Sequence, residues 1–126
     1  MNIDEFKKTN EYSLFIKNNP GIGNLKIRSY AASEALPVGG LNITVSSVVG
    51  NTKVIFYRGV TDSSGMIPTI SLPAPSLIDN LLVPNTIQYD IEASMNGSVS
   101  NFSVNMYDGV CVVQNINFIP GDNYGN

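Results

Sequence analysis

The 126-residue sequence predicts a mainly β protein: a seven-stranded antiparallel Greek-key sandwich with a short N-terminal helix. Three observations carry that expectation. From Leu25 onward apolar and polar residues alternate with period 2, as they do on a half-buried strand. Turn signals interrupt the alternation about every ten residues, among them Asn96-Gly97 and Asp108-Gly109. The first 20 residues break the pattern, being rich in charge and free of Gly until Pro20-Gly21.

The spacing of Ile3, Phe6, Tyr12, Phe15 and Ile16 predicts a helix over 3–18, with a weak point near Thr9-Asn10 where it can divide in two. Asn18-Asn19-Pro20-Gly21 is its stop signal. The first strand, 25–31, sets Leu25, Ile27 and Ser29 against Lys26, Arg28 and Tyr30. In the second, Leu41, Ile43 and Val45 alternate with Asn42, Thr44 and Ser46. Residues 54–60 open apolar on both faces, the pattern expected of a central strand. Thr61-Asp62-Ser63-Ser64-Gly65 reads as a turn, and a short strand over 67–72 ends near Pro73. The long connection 75–86 is expected to tuck Leu77, Ile78, Leu81 and Leu82 against the sandwich. Residues 87–95 alternate cleanly, and Asn96-Gly97 turns the chain into a strand carrying Phe102, Val104 and Met106. A last strand over 110–119 precedes Pro120 and a tail at 121–126.

Composition excludes several kinds of chemistry. Only 7 basic and 10 acidic residues are present, while Asn, Ser and Thr number 16, 13 and 6. Charge makes up 13% of the chain, about half the roughly 25% usual in soluble domains. With no His there is neither a Ser-His-Asp nor a Cys-His nucleophile, nor a His-ligated metal. One cysteine, Cys111, makes no disulfide framework and no thiolate cluster. The net charge of −3 argues against nucleic acid as a partner. No apolar run is long enough to span a membrane as a helix, and the N-terminus lacks the order of a signal peptide. No cofactor is implied.

Two stretches carry a family resemblance: Gly23-Asn24-Leu25-Lys26-Ile27, and Ala35-Leu36-Pro37-Val38-Gly39-Gly40-Leu41-Asn42-Ile43-Thr44-Val45. Together they resemble the opening of a carboxypeptidase-regulatory-like domain, also called transthyretin-like. TDSSG at 61–65 is similar to that family's T-D-x-x-G turn. A narrower likeness lies in TISLPAP at 69–75, with Tyr89-Asp90-Ile91 and Tyr107-Asp108-Gly109. These resemble a domain of spore-cortex-lytic or peptidoglycan-associated proteins of endospore-forming Gram-positive bacteria. The resemblance covers 23–120 and implies the fold and an envelope setting. It transfers no activity, because the catalytic and binding modules of those larger proteins do not occur in this sequence.

Four groups of residues merit chemical scrutiny. Asp62, Ser63 and Ser64 offer oxygens, but without EF-hand spacing, so a structural turn is expected rather than a calcium site. Asp90 and Glu92 share one face of a strand, the geometry of a solvated sheet face as much as of a carboxylate pair. Cys111 sits among valines and is expected to be a small buried hydrophobe. Lys26 on the first strand, Asn115 and Asn117 on the last, and Glu92 between them compose a candidate intramolecular isopeptide set. Against it, Leu25 and Ile27 claim the inward face and put Lys26 outside.

The functional expectation is a non-enzymatic structural subunit that acts by self-assembly. Segment 1–20, with Ile3, Phe6, Tyr12, Phe15 and Ile16, would connect it to the next subunit, and 21–120 would form the sandwich. Its basis is the scarcity of Lys and Glu that normally keep sheet edges apart. The setting would be a filament, appendage or coat on a spore or cell surface, or a phage or tail-like particle. The partners would be further copies or other envelope proteins. The alternative is a peptidoglycan- or carbohydrate-binding module, for which only Tyr30, Tyr57 and Tyr107 offer stacking surfaces.

Overall fold

A computed structural model describes residues 1–31, 36–77 and 85–118. Two short helices, α1 (Ile3–Phe6) and α2 (Glu11–Asn18), precede the strands. These are β1 (Gly21–Ala31), β2 (Leu36–Pro37), β3 (Asn42–Val49), β4 (Thr52–Val60), β5 (Ile70–Ala74), β6 (Ile87–Met95), β7 (Ser98–Met106) and β8 (Cys111–Asn117). One sheet has the order β4–β3–β6–β7, antiparallel throughout. In the other, β1 pairs antiparallel with β2 and β5 and parallel with β8. The mainly β sandwich with an N-terminal helical segment is therefore present. The two-residue β2 is an extra piece, and the parallel β1–β8 pairing joins the first and last strands.

Alternation decides which residues fill the space between the sheets. Leu25 and Ile27 of β1, Ile43 and Val45 of β3, and Tyr89 and Ile91 of β6 are buried, and their sequence neighbours face outward. β5 contains Pro73 and pairs only with β1 among the described strands, the edge position where a proline is tolerated. At the β6–β7 hairpin Met95 pairs with Ser98, leaving Asn96 (φ 52°) and Gly97 (φ 83°) as a two-residue loop. Both central residues have positive φ, as a type I′ turn requires.

The helix divides as its weak point suggested, at Lys7 to Asn10. Asn2 caps α1 reciprocally: its Oδ1 accepts from the Glu5 N–H (2.8 Å), and Glu5 Oε1 accepts from the Asn2 N–H (3.3 Å). Phe6 and Phe15 are buried against Val54, with Ile3, Tyr12 and Ile16 packed around them. Phe56 stands between Phe15 (5.8 Å) and Tyr89 (5.2 Å), so this small cluster runs into the main core.

That packing corrects the expectation for 54–60. β4 is an edge strand, and its second apolar face has a different cause. Val54 and Phe56 face the helices and core, while the outward Ile55 lies beside Asn2 and donates its N–H to the Met1 carbonyl (2.8 Å). The N-terminal residues thus cover part of the edge, which explains an apolar strand without a second sheet neighbour. Leu77 is exposed rather than tucked in, because the chain leaves the sheet at Ala74 and Pro75. Ile78, Leu81, Leu82, Ile119 and the 121–126 tail lie outside the described residues.

Candidate functional site

The sheet that holds β3 and β6 together splits at one end. Their ladder runs from Asn42↔Ser94 to Ser46↔Asp90 and stops there. Beyond that point Ser47, Val48 and Val49 still pair with β4, and Ile87 and Gln88 still pair with β7. On the sides that face each other, these two segments have no ladder partner among the described residues. Ser47 provides a single tie: its Oγ donates to the Gln88 carbonyl at 2.7 Å. A bulge at Val45/Ser46 accompanies the divergence, consistent with the extra local twist that bulges impose.

The split opens into a groove of about 890 Å³, with α2 forming one wall. Phe15, Val49 and Ile87 supply apolar lining, and Leu14 and Val48 stand at the rim, each 61% exposed. Asn18, Asn19 and Gln88 add neutral polar groups. The only charged residues among the described lining are Glu11 and Asp90, both acidic. Asp90 Oδ1 accepts from Ser103 Oγ and from Gln88 Nε2, each at 3.0 Å, which fixes the carboxylate at the rim. A groove of this size with mixed lining is suited to recognition.

Of these groove residues only Phe15 and Asp90 were singled out from sequence, Phe15 in the helical stripe and Asp90 in a carboxylate pair, and neither as part of a groove. The available signal is the Ser46-Ser47 pair, where β3 loses its clean alternation. Leu14, off the buried stripe of α2, and Val48, apolar at an outward position, are further signals.

Elsewhere the candidate residues are accounted for by structure. Asp62 Oδ1 accepts from the N–H groups of Ser64 (2.8 Å) and Met66 (3.1 Å), closing the turn on itself. Beside it, Thr61 Oγ1 donates to the Val38 carbonyl (2.8 Å) and accepts from the Leu41 N–H (3.0 Å). Ser29 Oγ lies within hydrogen-bonding distance of the Val38 and Gly65 carbonyls (2.7 and 3.1 Å). The T-D-x-x-G motif is therefore a buried polar knot that pins β1 to the start of β3. Among the described residues no group of three His, Cys, Asp or Glu gathers to hold a metal, and no helix is long and apolar enough to cross a membrane.

Two expectations need correction. Cys111 is exposed, not buried, because it starts β8 at the rim of the sandwich. The isopeptide set does not assemble. Lys26, Asn115 and Asn117 are exposed on the β1 sheet, whereas Glu92 is exposed on the outer face of the other sheet, with the core between them.

Comparison with known proteins gives the fold and nothing narrower. No family model matches the chain, and no curated protein matches it. Among solved structures, 5-hydroxyisourate hydrolase of Klebsiella pneumoniae is similar with a TM-score of 0.52, at 15% identity, over 79% of this chain and 92% of that one. The fold is transthyretin-like. Transthyretin from Sparus aurata is also found, at 16% identity and a TM-score of 0.47, over 73% of this chain and 86% of that one.

These findings overturn the expected role as an assembly subunit. The structure similar at a TM-score of 0.52 is a hydrolase. The physical ground for that role also fails. Phe6 and Phe15 are buried against this chain's own Val54, and Ile3, Tyr12 and Ile16 are partly buried around them, so the helical stripe is spent at home.

Proposed function

We propose that this chain is a non-catalytic recognition domain that takes an extended polypeptide segment into the groove between α2, β3 and β6. The observation that carries this reading is the end of the β3–β6 ladder at Ser46↔Asp90. The diverging strands present main-chain groups toward a cleft, and an extended peptide satisfies such groups by pairing as a strand does. Leu14, Val48 and Val49 offer apolar contacts for alternate side chains of that peptide. Glu11 and Asp90, with no basic residue in the described lining, favour a neutral or basic segment over an acidic one.

The non-catalytic part rests on the absence of His from the sequence and on the structural employment of Asp62, Ser29 and Thr61. A transthyretin-like fold by itself is no guide, since folds host unrelated functions. The spore or cell-surface setting implied by the TISLPAP resemblance suits such a module.

The test is fluorescence anisotropy with a labelled peptide of alternating Leu and Lys, beside its Leu and Glu counterpart. The expected result is binding of the basic peptide, weakened about tenfold or more by Leu14→Asp or Val48→Asp. Equal binding of the acidic peptide, or indifference to both substitutions, overturns the reading.

A further inference from the structure

We infer that the outer face of the β4–β3–β6–β7 sheet is the interface of a closed, two-fold symmetric dimer of this chain. Arg58, Thr44, Glu92 and Asn101 form one row across the four strands, and Ile55, Ser46, Asp90 and Ser103 form another. Lys53 lies opposite Val48 on the same face. Both basic residues of this face therefore stand on β4, and both acidic residues stand on β6. β3, between them, carries no charge, and neither does β7.

With strands about 4.8 Å apart, the basic and acidic columns are roughly 10 Å from each other, so they are not direct cross-strand neighbours. A second copy resolves this separation. Rotation by a half turn about an axis along β3 lays β4 of one copy over β6 of the other, and the reverse. Arg58 then faces the Glu92 of the second copy, twice in each dimer, and Lys53 comes beside the other copy's Asp90. Such an isologous contact closes after two subunits, so it makes no filament.

The rest of the face fits this occupant. Thr44 lies at its middle, Asn42 and Ser94 stand at one end with exposed Val60 and Val99, and exposed Val48 adds apolar contact at the other. With the axis along β3, three strands of eight or nine residues overlap in each copy and cover roughly 400 Å², the size of a weak, transient contact. A contact of that size and polarity is reversible and salt-sensitive. Val48 and Asp90 belong to both the groove rim and this face, whereas Arg58 and Glu92 lie outside the groove, so charge reversal at those two positions reads this inference apart from the proposed peptide binding.

Sedimentation velocity of the full chain, over a range of concentrations, tests it by charge reversal. Wild type is expected to dimerise at low salt and to dissociate in about 1 M salt, where the screening length is about 3 Å. Arg58→Glu and Glu92→Arg should each weaken the dimer by about tenfold or more, because each places like charges face to face. The double variant should recover it, since every pair is again of opposite sign. Both positions are exposed, and thermal melts of the three variants confirm that the fold is retained. A wild type that stays monomeric at every concentration overturns the inference. So does a single variant that dimerises like wild type, or a double variant that fails to recover.

Discussion

The phenol of Tyr89 donates a 2.6 Å hydrogen bond to the carbonyl of Pro73, joining β6 of one sheet to β5 of the other. The ring is fully buried and meets Phe56 edge-on, so one side chain touches both sheets and the link to α2. Burial pushes the Tyr89 phenol well above the ordinary tyrosine range, because the charged phenolate is disfavoured there. Tyr89→Phe should keep the packing and lose the bond, lowering stability by about 1–2 kcal/mol in urea melts.

A pH dependence follows from the same group. Its folded pKa lies above the unfolded value of 10.0, so the folded state holds the proton more tightly. That contribution is complete below about pH 10 and is lost as pH rises further. Wild type should therefore weaken in the alkaline range more than Tyr89→Phe does. Spectrophotometric titration of phenolate should show one tyrosine lagging behind the others until the protein unfolds.

The polar knot at the T-D-x-x-G turn makes two sharp demands. Gly65 has φ +77°, and a Cβ there would collide with the Ser29 carbonyl oxygen. Gly65→Ala should cost about 2 kcal/mol or more, from backbone strain and from displacement of β1. Thr61→Val preserves shape but strands the buried Leu41 N–H, at a cost of about 1–3 kcal/mol. Thr61→Ser, which keeps the hydroxyl, should recover most of that loss. Equal melting temperatures for the Val and Ser variants would contradict the assigned bonds.

Phe15 bridges the helical segment and the sandwich through Phe6 and Phe56. Phe15→Ala should destabilise by about 3 kcal/mol, toward the lower end for Phe truncation because the cluster is small. Removing residues 1–19 should lower the melting temperature as well, since Val54 loses its cover and β4 loses the pairing from Met1 and Asn2. A truncated chain as stable as wild type would show that the segment is dispensable to the sandwich.

Much of this architecture was legible in the order of the residues. Leu25 and Ile27 inward, Lys26 outward, the Asn96-Gly97 hairpin and the break near Thr9-Asn10 all follow from local periodicity and turn chemistry. What was not legible depends on contacts between distant segments. Residues 54–60 read as a central strand because local pattern cannot distinguish a second sheet neighbour from a helix folded over an edge. The helical stripe read as a connector for the same reason, since amphipathicity gives a buried face without naming what buries it. The groove was invisible because it arises where a ladder stops, and Ser46↔Asp90 is a pairing across some 40 positions of sequence.

Ser47 is where that hidden feature can be probed without any ligand. Its hydroxyl occupies the Gln88 carbonyl at the mouth of the split, the one tie across the gap among the described residues. Ser47→Ala removes the tie while the pairing of Ser47 with Val54 and of Gln88 with Asn105 remains. Stability should fall by only about 0.5–1.5 kcal/mol, the usual net value of one such bond. Hydrogen exchange, however, should accelerate selectively at residues 47–49 and 87–88, because opening of the split no longer has to break a bond. Uniform acceleration across β3 and β6 would mean that the two strands open together, and that the split is not a separate element of the fold.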